Sequence, residues 1–225
     1  LAALAIVLVR PRPTRATLLA ALAVFAAAAA LRLANVTAFG QTWDEDVYWS
    51  SGRNYLVNLA TLDLRPRAWT FNYEHPPVAK YLLGLGALWH DGYGPARALE
   101  ALLSSGTCVV AMLIGRDLFS LRVGVGAGLL AAFAPHLIAH GSISGLETPS
   151  TFFVTLAAWL FLRRSFVLAG VAGGLAAGSR FIAALVFFAM AASALIDALA
   201  SLRGGERRMT TVREWLRLAL APVAG

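Results

Sequence analysis

The chain alternates long apolar runs with short clusters of arginine. Hydrophobic residues make up 59% of it, charged residues only 14%, and the mean hydropathy is +0.69. A soluble domain carries about 25% charged residues. So little polar surface cannot enclose so much apolar surface, and a lipid bilayer is the solvent this composition fits. Disorder, a disulfide scaffold and an ordinary cytosolic enzyme are excluded. The single cysteine, Cys108, excludes an internal disulfide. The net charge of +7 does not point to nucleic acid, because the arginines sit between apolar runs, as topology signals do.

The apolar runs predict six spans. The first covers Ala16 to Ala34, behind Arg10, Arg12 and Arg15. The second covers Pro95 to Ile114 and is followed by Arg116 and Arg122. The third covers Val123 to His140, and the fourth Pro149 to Leu162, ending at Arg163 and Arg164. Ser165 to Leu202 is long enough for two more, interrupted at Gly178-Ser179-Arg180. The later arginines Arg203, Arg207, Arg208, Arg213 and Arg217 require the chain to return to the same side, so it crosses twice there. Gly124 with Gly128, and Gly170 with Gly174 and Gly178, form small-xxx-small rows read as helix-packing seams. Arg32 and Asp197 near span ends are read as snorkelling or pairing. The chain begins with Leu and ends inside an apolar stretch, and it reads as the N-terminal part, residues 1–225, of a longer membrane protein.

Asn35 to Gly94 forms a long loop on the side away from the arginine clusters. It holds six acids, Asp44, Glu45, Asp46, Asp63, Glu74 and Asp91, against four bases, Arg53, Arg65, Arg67 and Lys80. Tyr48, Gly52, Tyr55, Leu59 and Leu62 recur at helical spacing, which predicts an amphipathic helix at the membrane interface. Thr42 or Asp44 caps it, and the acids suit its positive N-terminal end. An ordinary acidic helix start is the reading that local physics favours for these three acids. Their place beside Trp43, Tyr48 and Trp49, just beyond a span, stands against it.

A second loop helix is expected after Asn72-Tyr73-Glu74-His75-Pro76-Pro77, because proline suits the first helical position. Lys80, the only lysine among 19 basic residues, then falls in the first turn. A cation there opposes the helix dipole. Two readings are open: a lysine snorkelling to the interface, or an anion site made by the lysine and the free helix N–H groups.

These motifs carry a resemblance. Trp43-Asp44-Glu45-(two residues)-Tyr48 and His75-Pro76-Pro77-(two residues)-Lys80 resemble the Asp-Glu-x-x-Tyr and His-Pro-Pro-x-x-Lys motifs of the protein O-mannosyltransferase and aminoarabinose transferase families. Glu147, before Thr148-Pro149, resembles an acidic residue of the families' second outer loop. Gly178-Ser179-Arg180-Phe181 is similar to a stretch where many relatives carry Thr-Lys-Tyr.

The resemblance implies an all-α, polytopic GT-C-like bundle with a long outer loop of interfacial helices. It implies an inverting glycosyltransferase that takes a sugar from a polyprenyl-phosphate donor to a hydroxyl on protein, lipid or envelope glycan. Asp44 is then the candidate base, with Glu45 second. Tyr48, His75, Lys80, Glu147 and Arg180 are candidate substrate-binding residues. The expected setting is the bilayer of a bacterial plasma membrane, with the site outside the cytoplasm. No cofactor is required. His136 and His140 share a helical face and Glu147 follows, a spacing that suits a divalent metal, although local pattern fixes no third ligand. The competing readings are a transporter and a flippase-like protein that binds polyprenyl phosphate without catalysis.

Overall fold

The computed structural model describes residues 13–42, 44–90 and 92–202. Trp43, Asp91, Arg10, Arg12 and the arginines from Arg203 onward lie outside them. The described residues contain helices and no strand. In chain order the helices are α1 (Arg15–Leu33), α2 (Glu45–Ala60), α3 (Pro77–Ala87), α4 (Tyr93–Leu118), α5 (Leu121–Phe133), α6 (Pro135–His140), α7 (Glu147–Leu162), α8 (Phe166–Ala177) and α9 (Leu185–Leu202). Short 3-10 turns cover Pro66–Trp69 and Phe181–Ala184.

Two helices, α1 and α4, are long and apolar enough to cross a membrane. Twelve-residue α8 rises about 18 Å, short of a hydrocarbon core of about 30 Å. The expected third span is broken: Ala134 is extended, as a residue before proline must be, and Pro135 starts the separate helix α6. Helix lengths therefore support a helical membrane protein without fixing the count at six.

Helix α4 is the central post. It packs against α1, α5, α7 and α3. Met112, Leu113, Phe153, Leu156 and Trp159 fill the core around it. Leu22, Leu130, Val167 and Phe188 stand outward, an arrangement suited to lipid. Gly124 and Gly128 form the seam expected of them. A Cβ on Gly124 would sit 2.4 Å from the Met112 carbonyl oxygen, and one on Gly128 would sit 2.9 Å from the Met112 side chain. The other row does not. Gly170 and Gly174 face open space, and only Gly178 meets a neighbour, Val78.

Arg32 departs from the snorkelling expectation. Its guanidinium turns inward, fully buried, and donates to Ser104 Oγ at 2.7 Å and to the carbonyls of Ala28 and Ala132 at 3.1 and 3.2 Å. It thus satisfies a carbonyl at the end of α5, where Pro135 stops the helix. With Arg32 against Ser104 at one level, and Val24 and Met112 both against Gly128 at another, α1 runs antiparallel to α4. Arg15, Arg116, Arg122, Arg163 and Arg164 then gather at one end of the bundle, and the loop motifs at the other.

Candidate active site

Helices α2 and α3 build the floor of the motif end, and glycine lets them touch. A Cβ on Gly52 would fall 1.9 Å from the Lys80 carbonyl oxygen, and one on Gly84 would fall 2.5 Å from that of Gly52. The pair packs backbone to backbone. Of the face expected on α2, Gly52 and Tyr55 are buried, whereas Leu59 is exposed and Leu62 lies beyond the helix end in a left-handed conformation.

The three acids at the start of α2 divide. Asp46 stays local and accepts from Val47 N–H at 2.9 Å. Glu45 is fully buried against Arg97 of α4: Nε donates to Oε1 at 2.7 Å and Nη2 to Oε2 at 2.6 Å. Glu45 also accepts from the N–H groups of Thr42 and Ser144, both at 2.7 Å. The Thr42 bond is the return half of a capping box. Burial pushes the Glu45 carboxyl up, but the bonds from Arg97, Ser144 and Thr42 outweigh it and hold the group below its usual range.

Asp44 is different. It occupies the cap position of α2, yet its side chain makes no cap hydrogen bond. Its carboxylate is exposed and accepts from the Tyr48 hydroxyl at 3.4 Å. Tyr48 in turn meets His75 edge to face, with ring centroids 5.8 Å apart. Burial, then the charges of Asp44 and Glu147, push the Tyr48 phenol up to about 12, against the lowering pull of Arg180. Arg180 pairs with Glu147, and each side chain is 40% exposed. Asp44, Tyr48, His75, Glu147 and Arg180 therefore share one neighbourhood, although they come from four separate stretches of chain.

Lys80 belongs to this group by position and not by direction. Its ammonium is fully buried, donating to the carbonyls of Asn72 and of His75, the latter at 2.7 Å. It sits 5.5 Å from the centre of the Tyr55 ring. Burial lowers the Lys80 pKa, with Glu74 opposing. The first N–H group of the helix is also taken. Val78 N–H donates to the Gly178 carbonyl at 2.8 Å, and Pro76 and Pro77 have no N–H to offer. Lys80 thus holds the Asn72–His75 turn in shape, and Gly178 ties α3 to the loop that carries Arg180.

Two residues that local pattern did not single out belong to the wall. Arg97 reaches beyond Glu45 to the carbonyls of Val36, Phe39 and Gly40, and its guanidinium lies 4.4 Å from the Tyr93 ring centre. The available signal was the one noticed for Lys80, a cation in the first turns of a helix. Glu100, one turn further along α4, is fully buried beside the Thr148 hydroxyl and the Gly145 N–H.

Beside this neighbourhood lies a cavity of about 170 Å³, lined by Ser104, Thr107, His136, His140, Glu147 and Thr148 among others. The His136 and His140 rings lie 4.4 Å apart, centre to centre. Among the described residues no group of three or more His, Cys, Asp or Glu side chains is placed to hold a metal ion.

Residues 74–222 match the family of dolichyl-phosphate-mannose-protein mannosyltransferases, more than half of the chain. The chain belongs to this family. It is therefore a mannosyltransferase-type, GT-C-like glycosyltransferase chain of the class served by polyprenyl-phosphate-linked sugar donors. The matched residues include His75, Lys80, Glu147 and Arg180, while Asp44, Glu45 and Tyr48 precede them. No curated protein and no solved structure matches.

Proposed function

We propose that the chain carries the donor-side active site of an inverting membrane glycosyltransferase. The sugar passes from a polyprenyl-phosphate carrier to an acceptor hydroxyl on protein, lipid or envelope glycan. The observation that carries this reading is the divided acid cluster. Glu45 is consumed by Arg97, whereas Asp44 keeps an exposed carboxylate beside the Tyr48 hydroxyl and near Arg180.

In this scheme Asp44 takes the proton from the acceptor hydroxyl. That oxygen attacks the anomeric carbon, and the bond from that carbon to the phosphate oxygen breaks. Polyprenyl phosphate leaves with the electron pair. A positioned base contributes about 10²–10⁴-fold. The leaving group is already acidic and needs positive charge more than a proton. Arg180 is a partly exposed cation in the neighbourhood, and Glu147 holds it. Tyr48 and His75 line the site. Lys80 keeps His75 in place. A single displacement inverts the anomeric centre and calls on no cofactor.

The site faces outside the cytoplasm of a bacterial plasma membrane in this reading. What supports that side is the set of Arg15, Arg116, Arg122, Arg163 and Arg164 flanking the spans at the opposite end of the bundle, since Arg53, Arg65 and Arg67 of the motif end lie in a long loop with six acids. The test uses the full-length protein in membranes with polyprenyl-phosphate mannose as donor. Asp44→Asn is expected to abolish transfer while donor binding persists. Normal turnover in that variant removes Asp44 as the base. Normal donor binding by a wild type that transfers nothing leaves a carrier of polyprenyl phosphate in its place.

A further inference from the structure

Glu100 is a buried acid that the scheme above does not use. Its side chain is fully buried on α4, and the arginines of the two neighbouring pairs are taken, Arg97 by Glu45 and Arg180 by Glu147. Burying a carboxyl costs free energy unless polar neighbours engage it. Here those neighbours are at the start of α7. That helix begins at Glu147 with Leu146 in the cap position, which brings no side-chain oxygen to the free N–H groups. The Glu100 carboxyl comes to this end from α4 and lies beside the Gly145 N–H and the Thr148 hydroxyl. It meets the residues two before and one after Glu147. Glu45 holds the chain just ahead of them, accepting from Ser144 N–H at 2.7 Å. Two buried acids therefore flank the stretch from which Glu147 projects.

Gly145 carries this arrangement to the site. A Cβ on Gly145 would fall 2.7 Å from Glu147 Oε2. The bare Cα leaves room for the Glu147 carboxylate to lie back over the loop. The other oxygen, Oε1, takes the Arg180 guanidinium. One line of contact runs from Glu100 through Gly145 and Glu147 to Arg180.

We infer that Glu100 is a positioning residue. Through Gly145 it aims Glu147 at Arg180, and so sets how tightly the cation that meets the donor phosphate is held. The inference rests on the proposed glycosyl transfer for that task of Arg180, while the line of contact does not depend on it.

The test uses the full-length protein in lipid nanodiscs. Gly145→Ala puts a methyl group where Glu147 Oε2 lies. Gly145 does not hold a positive φ, and the displaced atom ends a flexible side chain, so the fold is kept. Glu100→Leu removes the carboxyl, and Glu100→Gln keeps an acceptor oxygen and the shape. Phenylglyoxal labelling, read by mass spectrometry, reports how free the Arg180 guanidinium is with no lipid present. Arg65, on the distant Asp63, is the control for general loosening. Gly145→Ala and Glu100→Leu should speed labelling of Arg180 several-fold and leave Arg65 unchanged, with Glu100→Gln falling between wild type and Glu100→Leu. In a Glu147→Gln background neither change should add anything, because the residues act in series. Where Glu100→Leu fails to fold, Thr148→Val removes the hydroxyl beside the carboxyl and takes its place. Unchanged labelling of Arg180 in Gly145→Ala overturns the inference, and so does an equal gain in both backgrounds. Transfer from polyprenyl-phosphate mannose is then measured on the same variants and should slow in step with the labelling. If labelling responds while wild type transfers nothing, Glu100 keeps its positioning role and the glycosyl-transfer reading falls.

Discussion

Arg97 grips Glu45 with both arms of its fork, Nε to Oε1 at 2.7 Å and Nη2 to Oε2 at 2.6 Å, and neither side chain reaches solvent. Removing one partner strands the other charge, which costs about 3–5 kcal/mol in a buried pair. Arg97→Ala should therefore lower the melting temperature in detergent far more than Asp44→Asn does. Arg97→Lys keeps the charge but loses the paired geometry, and it should fall between. Equal melting of Arg97→Ala and wild type would remove the pair from the stability of the motif end.

The same carboxylate sets an acid limit. Its folded pKa lies below the ordinary value of 4.5. A group depressed in the fold contributes fully above its unfolded pKa and loses that contribution as pH falls through the folded value. Wild-type stability should drop as pH is lowered below about 4.5, and Glu45→Gln should flatten that part of the profile. Melting curves across pH 3–7 check it.

Tyr48 sets the opposite limit. Its phenol is pushed from 10.0 up to about 12. The fold holds this proton more tightly than the unfolded chain does. The stabilisation is complete below 10 and is lost as pH rises toward about 12. Ultraviolet titration should show a phenolate that forms late and is missing in Tyr48→Phe. A Tyr48 signal at the ordinary value would contradict its burial and its placement beside Asp44.

Lys80→Met keeps the apolar stem and deletes the ammonium. The carbonyls of Asn72 and His75 then lose their donor, and an unpaired buried group costs about 1–3 kcal/mol. Hydrogen exchange should rise across residues 70–76, and turnover should fall with the displaced His75. Unchanged exchange in that stretch would count against the strut role.

Glu147→Gln releases Arg180 from its ion pair. The freed guanidinium should bind bare polyprenyl phosphate several-fold more tightly, while transfer slows. Arg180→Ala should weaken binding of the same lipid. Opposite signs in the two variants are the signature to seek, and a loss in both would separate Arg180 from the phosphate.

Local pattern was enough for much of this architecture. The start of α3 at Pro77 and the first-turn placement of Lys80 follow from proline chemistry, and the break at Gly178 to Arg180 follows from interrupted hydropathy. The Gly124 and Gly128 seam was legible in its spacing. What stayed hidden depends on partners far along the chain. Nothing near Glu45 announces Arg97, and nothing near Lys80 announces that its donors turn back to the carbonyls of its own loop. Gly170 and Gly174 share the spacing of Gly124 and Gly128 but face open space, because spacing describes one helix surface and not what lies against it.

The bond from Val78 N–H to the Gly178 carbonyl stitches an early loop to a late one. During synthesis the helix bearing Pro77 leaves the ribosome long before its partner does. The nascent chain must insert α4 and the helices after it before that stitch can form. Assembly of the sugar-handling surface therefore waits until Gly178 has been made, and a chain truncated ahead of it would reach the bilayer with its motifs present but unjoined.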